Sequence, residues 1–188
     1  MKPTTILFPI LFFAFLGTSL PAQSPPAQSP PAFPEAWIGN WAGELEIYNA
    51  RGLAQKLPMG LNIQPTDSAG VFTHEIIYGE GDNKQTRPYK LLTVDPATGH
   101  YRVDEGNSIL LDAYWLGGIQ VEIFSVEGSL LITTIQQTAD NELLWQIIVG
   151  DMETVTITGG GEADGEKMPE VTSYKAPALQ RARLVRQN

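Results

Sequence analysis

The chain has 188 residues, 12 Lys and Arg against 21 Asp and Glu, a formal net charge of −9, and no cysteine. The acidic excess argues against nucleic acid or an anionic membrane surface as a partner. The missing thiols exclude disulfides, a lipid-anchored cysteine and a cysteine nucleophile, so core packing alone must hold the fold.

In chain order, Met1-Lys2 supplies an early positive charge and Ile6 to Leu16 an apolar stretch, followed by small residues up to Ala22. This pattern predicts a signal peptide over 1–22, cleaved after Ala22, and hence a secreted or periplasmic protein. A spanning helix fits poorly, because the apolar run contains Pro9 and is shorter than the ~20 residues a bilayer core requires. Residues 23–34 repeat a Gln-Ser-Pro-Pro-Ala unit, which can form neither helix nor ladder and reads as an extended proline-rich spacer. A single β-barrel domain is expected over 35–188.

From Trp37 onward the pattern is apolar-polar alternation broken at short intervals by turn residues, the sequence mark of an all-β sandwich or barrel. Strands are predicted over 37–48, 56–64, 70–78, 86–94, 100–104, 108–115, 119–126, 129–137, 142–150 and 178–186. Between them fall turn signals such as Asp95-Pro96-Ala97-Thr98-Gly99 and Glu127-Gly128. Hairpin-length links predict an antiparallel up-and-down meander of 8–10 strands, and closing that sheet removes its exposed edges. Residues 158–170 read as a flexible acidic loop before the last strand.

Trp37-Ile38-Gly39-Asn40-Trp41 at the start of the first strand, with Arg181 and Arg183 in the last, resembles the calycin superfamily of lipocalins and fatty-acid-binding proteins. The resemblance implies a closed barrel around a pocket for a small apolar or amphipathic ligand. It also implies that Trp41 plugs the barrel end beneath the guanidinium of Arg183 or Arg181. The chain lacks a Thr-Asp-Tyr element, a cysteine pair and a helical pair after the first strand, which points to a distant secreted bacterial branch.

Alternation assigns faces strand by strand. The inward sets are read as Trp41, Leu45 and Ile47; Phe72, His74, Ile76 and Tyr78; Arg87, Tyr89 and Leu91; Tyr101 and Val103; and Ile119, Val121 and Ile123, with Gln120 and Glu122 outward. Five of these, Arg87, Tyr89, Tyr101, Tyr78 and His74, form the candidate ligand site. Arg87 could hold a ligand carboxylate there, with tyrosine hydroxyls completing the coordination. The competing reading places Arg87 at the rim, paired with Glu75 or Glu80.

His74 and His100 are the only histidines and have no partner at ligand spacing, so neither metal nor cofactor is expected. The acidic run Glu162 to Glu166 lacks the full calcium-loop pattern. No nucleophile elbow or metalloprotease motif occurs, and a monomeric, non-enzymatic binder is expected. The alternative is a β-sandwich module that recognises carbohydrate or a protein partner through Trp37, Trp115 and Trp145 at its surface.

Overall fold

The computed structural model describes residues 33–188, so the expected signal peptide and most of the expected spacer lie outside the described residues. After a 3₁₀ turn over Glu35–Trp37 come β1 (Gly39–Asn49), β2 (Gly52–Ile63), β3 (Val71–Tyr78), β4 (Gln85–Asp95), β5 (His100–Asp104) and β6 (Leu110–Leu116). They are followed by β7 (Ile119–Val126), β8 (Ser129–Ala139), β9 (Glu142–Thr158), β10 (Glu162–Ala163), β11 (Glu166–Lys167) and β12 (Val171–Arg186). Ten strands close an antiparallel barrel in the order β1-β12-β9-β8-β7-β6-β5-β4-β3-β2, and β10 and β11 form a separate small hairpin. No helix among the described residues is long and apolar enough to cross a membrane.

The closure seam joins the two chain ends of the domain. β1 pairs with β12 from Trp41↔Arg186 to Asn49↔Ala178 and, on its other side, with β2. The backbones at this seam approach so closely that a Cβ on Gly43 would lie 2.0 Å from the Arg183 carbonyl oxygen, which only glycine avoids.

One end of the barrel is filled with aromatic rings. Trp37 and Trp41 are almost fully buried, and the Trp41 indole donates to the Trp37 carbonyl at 2.9 Å. Phe33 stacks on Trp115 with centroids 4.3 Å apart and meets Trp37 and Tyr101 edge-on. Although residues 23–34 read as spacer, Phe33 is thus a core residue, because the plug presents a stacking partner that burial makes favourable. The expected arginine over Trp41 is corrected: it is Arg186, whose guanidinium lies 4.1 Å from the ring centre. Arg181 and Arg183 share the outward parity of β12, with Ala182 and Leu184 buried between and beside them. Arg181 pairs with Glu46 at 3.3 Å and Arg183 with Glu142 at 2.7 Å, both outside the barrel.

The face expected for β7 is also corrected. Gln120 and Glu122 point inward and are buried, whereas Ile123 is 62% exposed. The two-residue turn at Glu127-Gly128, with φ of 49° and 80°, pairs Val126 with Ser129 and therefore Glu122 with Thr133 and Gln120 with Ile135. Ile135 in turn pairs with Trp145 of β9, and both are buried. Register transmitted from the neighbouring strands thus overrides the higher apolarity of Ile119, Val121 and Ile123.

β9 and β12 outrun their predicted spans. Past Asp151 they pair only with each other, from Lys175↔Asp151 to Val171↔Thr158 with register shifts around Lys175. The β-branched residues Thr154 to Thr158 and Val171 to Thr172 suit such a ribbon. The β10–β11 hairpin takes up part of the segment read as a flexible acidic loop.

Candidate functional site

A cavity of about 130 Å³ lies inside the barrel, with His74, Tyr78, Tyr89, Glu105, Glu122, Thr133 and Trp145 among its lining and Ile76, Val103 and Leu111 as apolar wall. A roomier vestibule of about 620 Å³ is lined by Leu45, Ile47, Leu57, Gln55, Gln85 and Gln180. Tyr78 lines both, so it stands between the inner chamber and the vestibule. Strand alternation makes this possible, since each strand sends every second side chain inward and the aromatic plug closes the other end. Another depression of about 400 Å³ lies over Glu44, Glu46, Arg181 and Arg183 on the outer wall. Its charges already pair: Glu44 takes Lys56 at 2.6 Å and Glu46 takes Arg181.

The inner chamber differs in that two of its lining residues, His74 and Trp145, carry buried polar atoms without partners. His74 is 2% exposed and its Nδ1 has no hydrogen bond, nor does Trp145 Nε1; Gln120 Oε1, buried outside the lining, is also without one. Gln120 Nε2 donates to Glu122 Oε1 at 2.7 Å. Burial pushes the Glu122 carboxyl up to about 7, against the opposite pull of the Gln120 hydrogen bond. Burial lowers His74 to about 4, so its imidazole is neutral at physiological pH. Burial likewise raises Tyr78 to about 12, which keeps its phenol protonated. A buried group without a partner is costly, and such groups in a native cavity mark the place of water, an ion or a ligand.

Of the five residues expected at the site, His74, Tyr78 and Tyr89 line the chamber. Tyr101 does not: it belongs to the aromatic plug, and its hydroxyl donates to the Phe33 carbonyl at 3.3 Å. Arg87 has the inward parity of β4 but lies beyond the last covered level of the barrel and is exposed. It approaches the Tyr89 hydroxyl, as does Glu105. Sequence reasoning missed the lining residues Glu122 and Thr133, Gln120 hydrogen-bonded to Glu122, and the further lining residue Glu105. The sign that could have found the first three is the two-residue hairpin turn, which ties the parity of β7 to that of β8.

Trp37 and Trp145 are each 1% exposed and Trp115 is stacked beneath Phe33, so no flat surface platform of tryptophans exists for a sugar. Among the described residues, no group of three or more His, Asp or Glu could hold a metal ion.

The closed ten-strand meander with one plugged end is a calycin-like barrel. No protein-family model matches the sequence, and no curated protein matches it. Among solved structures, it is similar to a DUF3598-family protein of unknown function from Nostoc punctiforme PCC 73102, with a TM-score of 0.55 and 15% identity over 88% of this chain. The chain spans about half, 53%, of that protein's length. It is also similar to an S-type phycobiliprotein lyase from Guillardia theta, with a TM-score of 0.55 and 8% identity over 82% of this chain and 90% of the lyase. At these identities the likeness is one of fold.

Proposed function

We propose that this protein is a secreted, non-enzymatic barrel that binds a small amphipathic molecule, with its polar group in the inner chamber and its apolar part toward the vestibule. The observation that carries the reading is the inner chamber itself, where His74 and Trp145, each with an unpartnered buried polar atom, line a space of about 130 Å³ together with the buried Glu122. That space is below the ~300–1,000 Å³ of ordinary ligand pockets, which matches a head group rather than a whole ligand. The vestibule offers the remaining volume. Secretion rests on the residues 1–22 pattern alone.

The test is NMR on the ¹⁵N-labelled protein titrated with four-carbon probes: an alcohol, a carboxylate and a guanidinium. Entry into the chamber moves the Trp145 indole N–H signal and leaves those of Trp37 and Trp41, locked in the plug, in place. If no probe moves Trp145, the binding function fails.

A second reading, acid–base catalysis, is favoured by one observation: a buried carboxyl near pKa 7 in a cavity is suited to proton transfer at neutral pH. The Guillardia neighbour bears the name of a lyase. The reading requires that a bound ligand be recovered chemically changed, which mass spectrometry after incubation decides.

A further inference from the structure

We propose that the molecule held in the inner chamber carries a small N–H-donating organic cation, a guanidinium or primary ammonium group, and that Glu122 is its anchor. This rests on the binding function above and specifies its ligand chemistry.

The lining contains two carboxylates, Glu105 and Glu122, and neither lysine nor arginine. Arg87, expected from the sequence to hold a ligand acid, is exposed outside the chamber. Glu122 is 6% exposed, makes its described hydrogen bond to Gln120, and forms no ion pair among the described residues. An unpaired buried carboxylate is among the most expensive groups a core can hold, and a ligand cation would relieve it.

The neighbouring orphans fit the same occupant. Gln120 is outside the lining and acts on the occupant only through Glu122, whose Oε1 accepts from Gln120 Nε2 at 2.7 Å. His74 Nδ1 lacks a partner, and a neutral imidazole with its proton on Nε2 presents Nδ1 as an acceptor. β3 and β7 lie on nearly opposite walls of the barrel, so His74 and Glu122 address one occupant from two sides. A guanidinium presents its N–H donors in a planar fork that suits a carboxylate on one edge and a second acceptor on another. Trp145 Nε1, an orphan donor, would meet a hydroxyl or carbonyl adjoining the cation. A carboxylate head would instead face Glu105 and Glu122, and the nearest described cation, the exposed Arg87, already shares the Tyr89 hydroxyl with Glu105.

The experiment measures affinities of n-butylguanidinium, n-butanol and butyrate at pH 8 by chemical-shift titration, on the wild-type protein and on Glu122→Gln. The substitution keeps size and the Gln120 contact while removing the charge, and lifting a buried charge favours folding. The expected result is that the cation binds about tenfold or more tighter than the alcohol, and butyrate more weakly than either. Glu122→Gln should abolish that preference while leaving the alcohol within about twofold. Between pH 6 and pH 8 the cation's affinity for the wild type should rise as Glu122 ionises, and the alcohol's should not. Binding of the alcohol without preference for the cation, or a preference that survives Glu122→Gln, overturns the cation assignment and leaves the binding function standing. Absence of binding by all three overturns both.

Discussion

The Arg186 guanidinium lies 4.1 Å above the Trp41 ring, and its two terminal nitrogens donate to the carbonyls of Ala36 and Ile38. One side chain from the last strand thereby covers the aromatic plug and ties down the 3₁₀ turn that precedes the first. Trp41→Ala should cost about 3–5 kcal/mol as a large-to-small core change. Arg186→Met, which keeps the stem but loses the cation and its hydrogen bonds, should cost about 1.5–3 kcal/mol. Arg181→Met and Arg183→Met should leave the urea midpoint essentially unmoved, because both pair only at the exposed outer wall.

Gly39 explains the glycine of the aromatic signature. Its φ is +149°, and a Cβ there would lie 2.6 Å from Arg186 Nη1. Gly39→Ala should cost about 1–3 kcal/mol from backbone strain together with displacement of the guanidinium. In an Arg186→Met background the cost should shrink toward the strain alone, and a double-mutant cycle by denaturant unfolding measures the coupling. Additive costs would mean that the guanidinium does not depend on the missing Cβ.

Glu122 and His74 should leave opposite marks on stability against pH. A carboxyl raised to about 7 from 4.5 binds its proton more tightly when folded, so its contribution is fully present below pH 4.5 and is lost as pH rises through 7. A histidine lowered to about 4 from 6.5 contributes stability above pH 6.5 that is lost as pH falls through 4. Between pH 4.5 and 6.5 the two slopes oppose one another. Glu122→Gln should therefore gain on the wild type by roughly 3 kcal/mol between pH 4.5 and 7, about 1.4 kcal/mol per pH unit. Urea unfolding across that range reads the difference, and a constant gap would mean that Glu122 titrates normally.

The reversed faces of β7 predict unequal costs for two isoleucines. Ile123→Ala, at a site 62% exposed, should change stability by less than about 0.5 kcal/mol. Ile135→Ala, at a site 1% exposed, should cost about 2–5 kcal/mol. Comparable costs from denaturant unfolding would contradict the register across β7 and β8.

Phe33 sets where the domain must begin. A chain starting at Phe33 should unfold like one starting at Gln23, whereas one starting at Glu35 loses the ring stacked 4.3 Å from Trp115. That loss should amount to about 3 kcal/mol or more, and thermal unfolding of the three chains makes the comparison.

The barrel was legible because its causes are local. Apolar-polar alternation and turn residues mark strands within a window of a few residues, so His100–Asp104 and Ile119–Val126 carry the boundaries read from sequence. The inward direction of His74 followed from Phe72 and Ile76 on the same strand, one residue to either side in the alternation. The partner of Trp41 was not legible in the same way. Arg181, Arg183 and Arg186 are all basic residues of one strand, and only the pairing Trp41↔Arg186 across the closed seam selects the last.

The site was less legible than the barrel, because it depends on which strands face one another. Sequence alone determined that strands would form, that a meander would close and that one end would carry aromatics, since each follows from short-range pattern and the need to remove sheet edges. Tertiary structure decided the polarity of the interior. β7 taken by itself buries more apolar surface with Ile119, Val121 and Ile123 inward, but its register to β8, and through β8 to the buried Trp145, sets the opposite parity. A strand can exchange its faces only as a whole, so fixing one neighbour's core residues carried Gln120 into the core and Glu122 into the cavity.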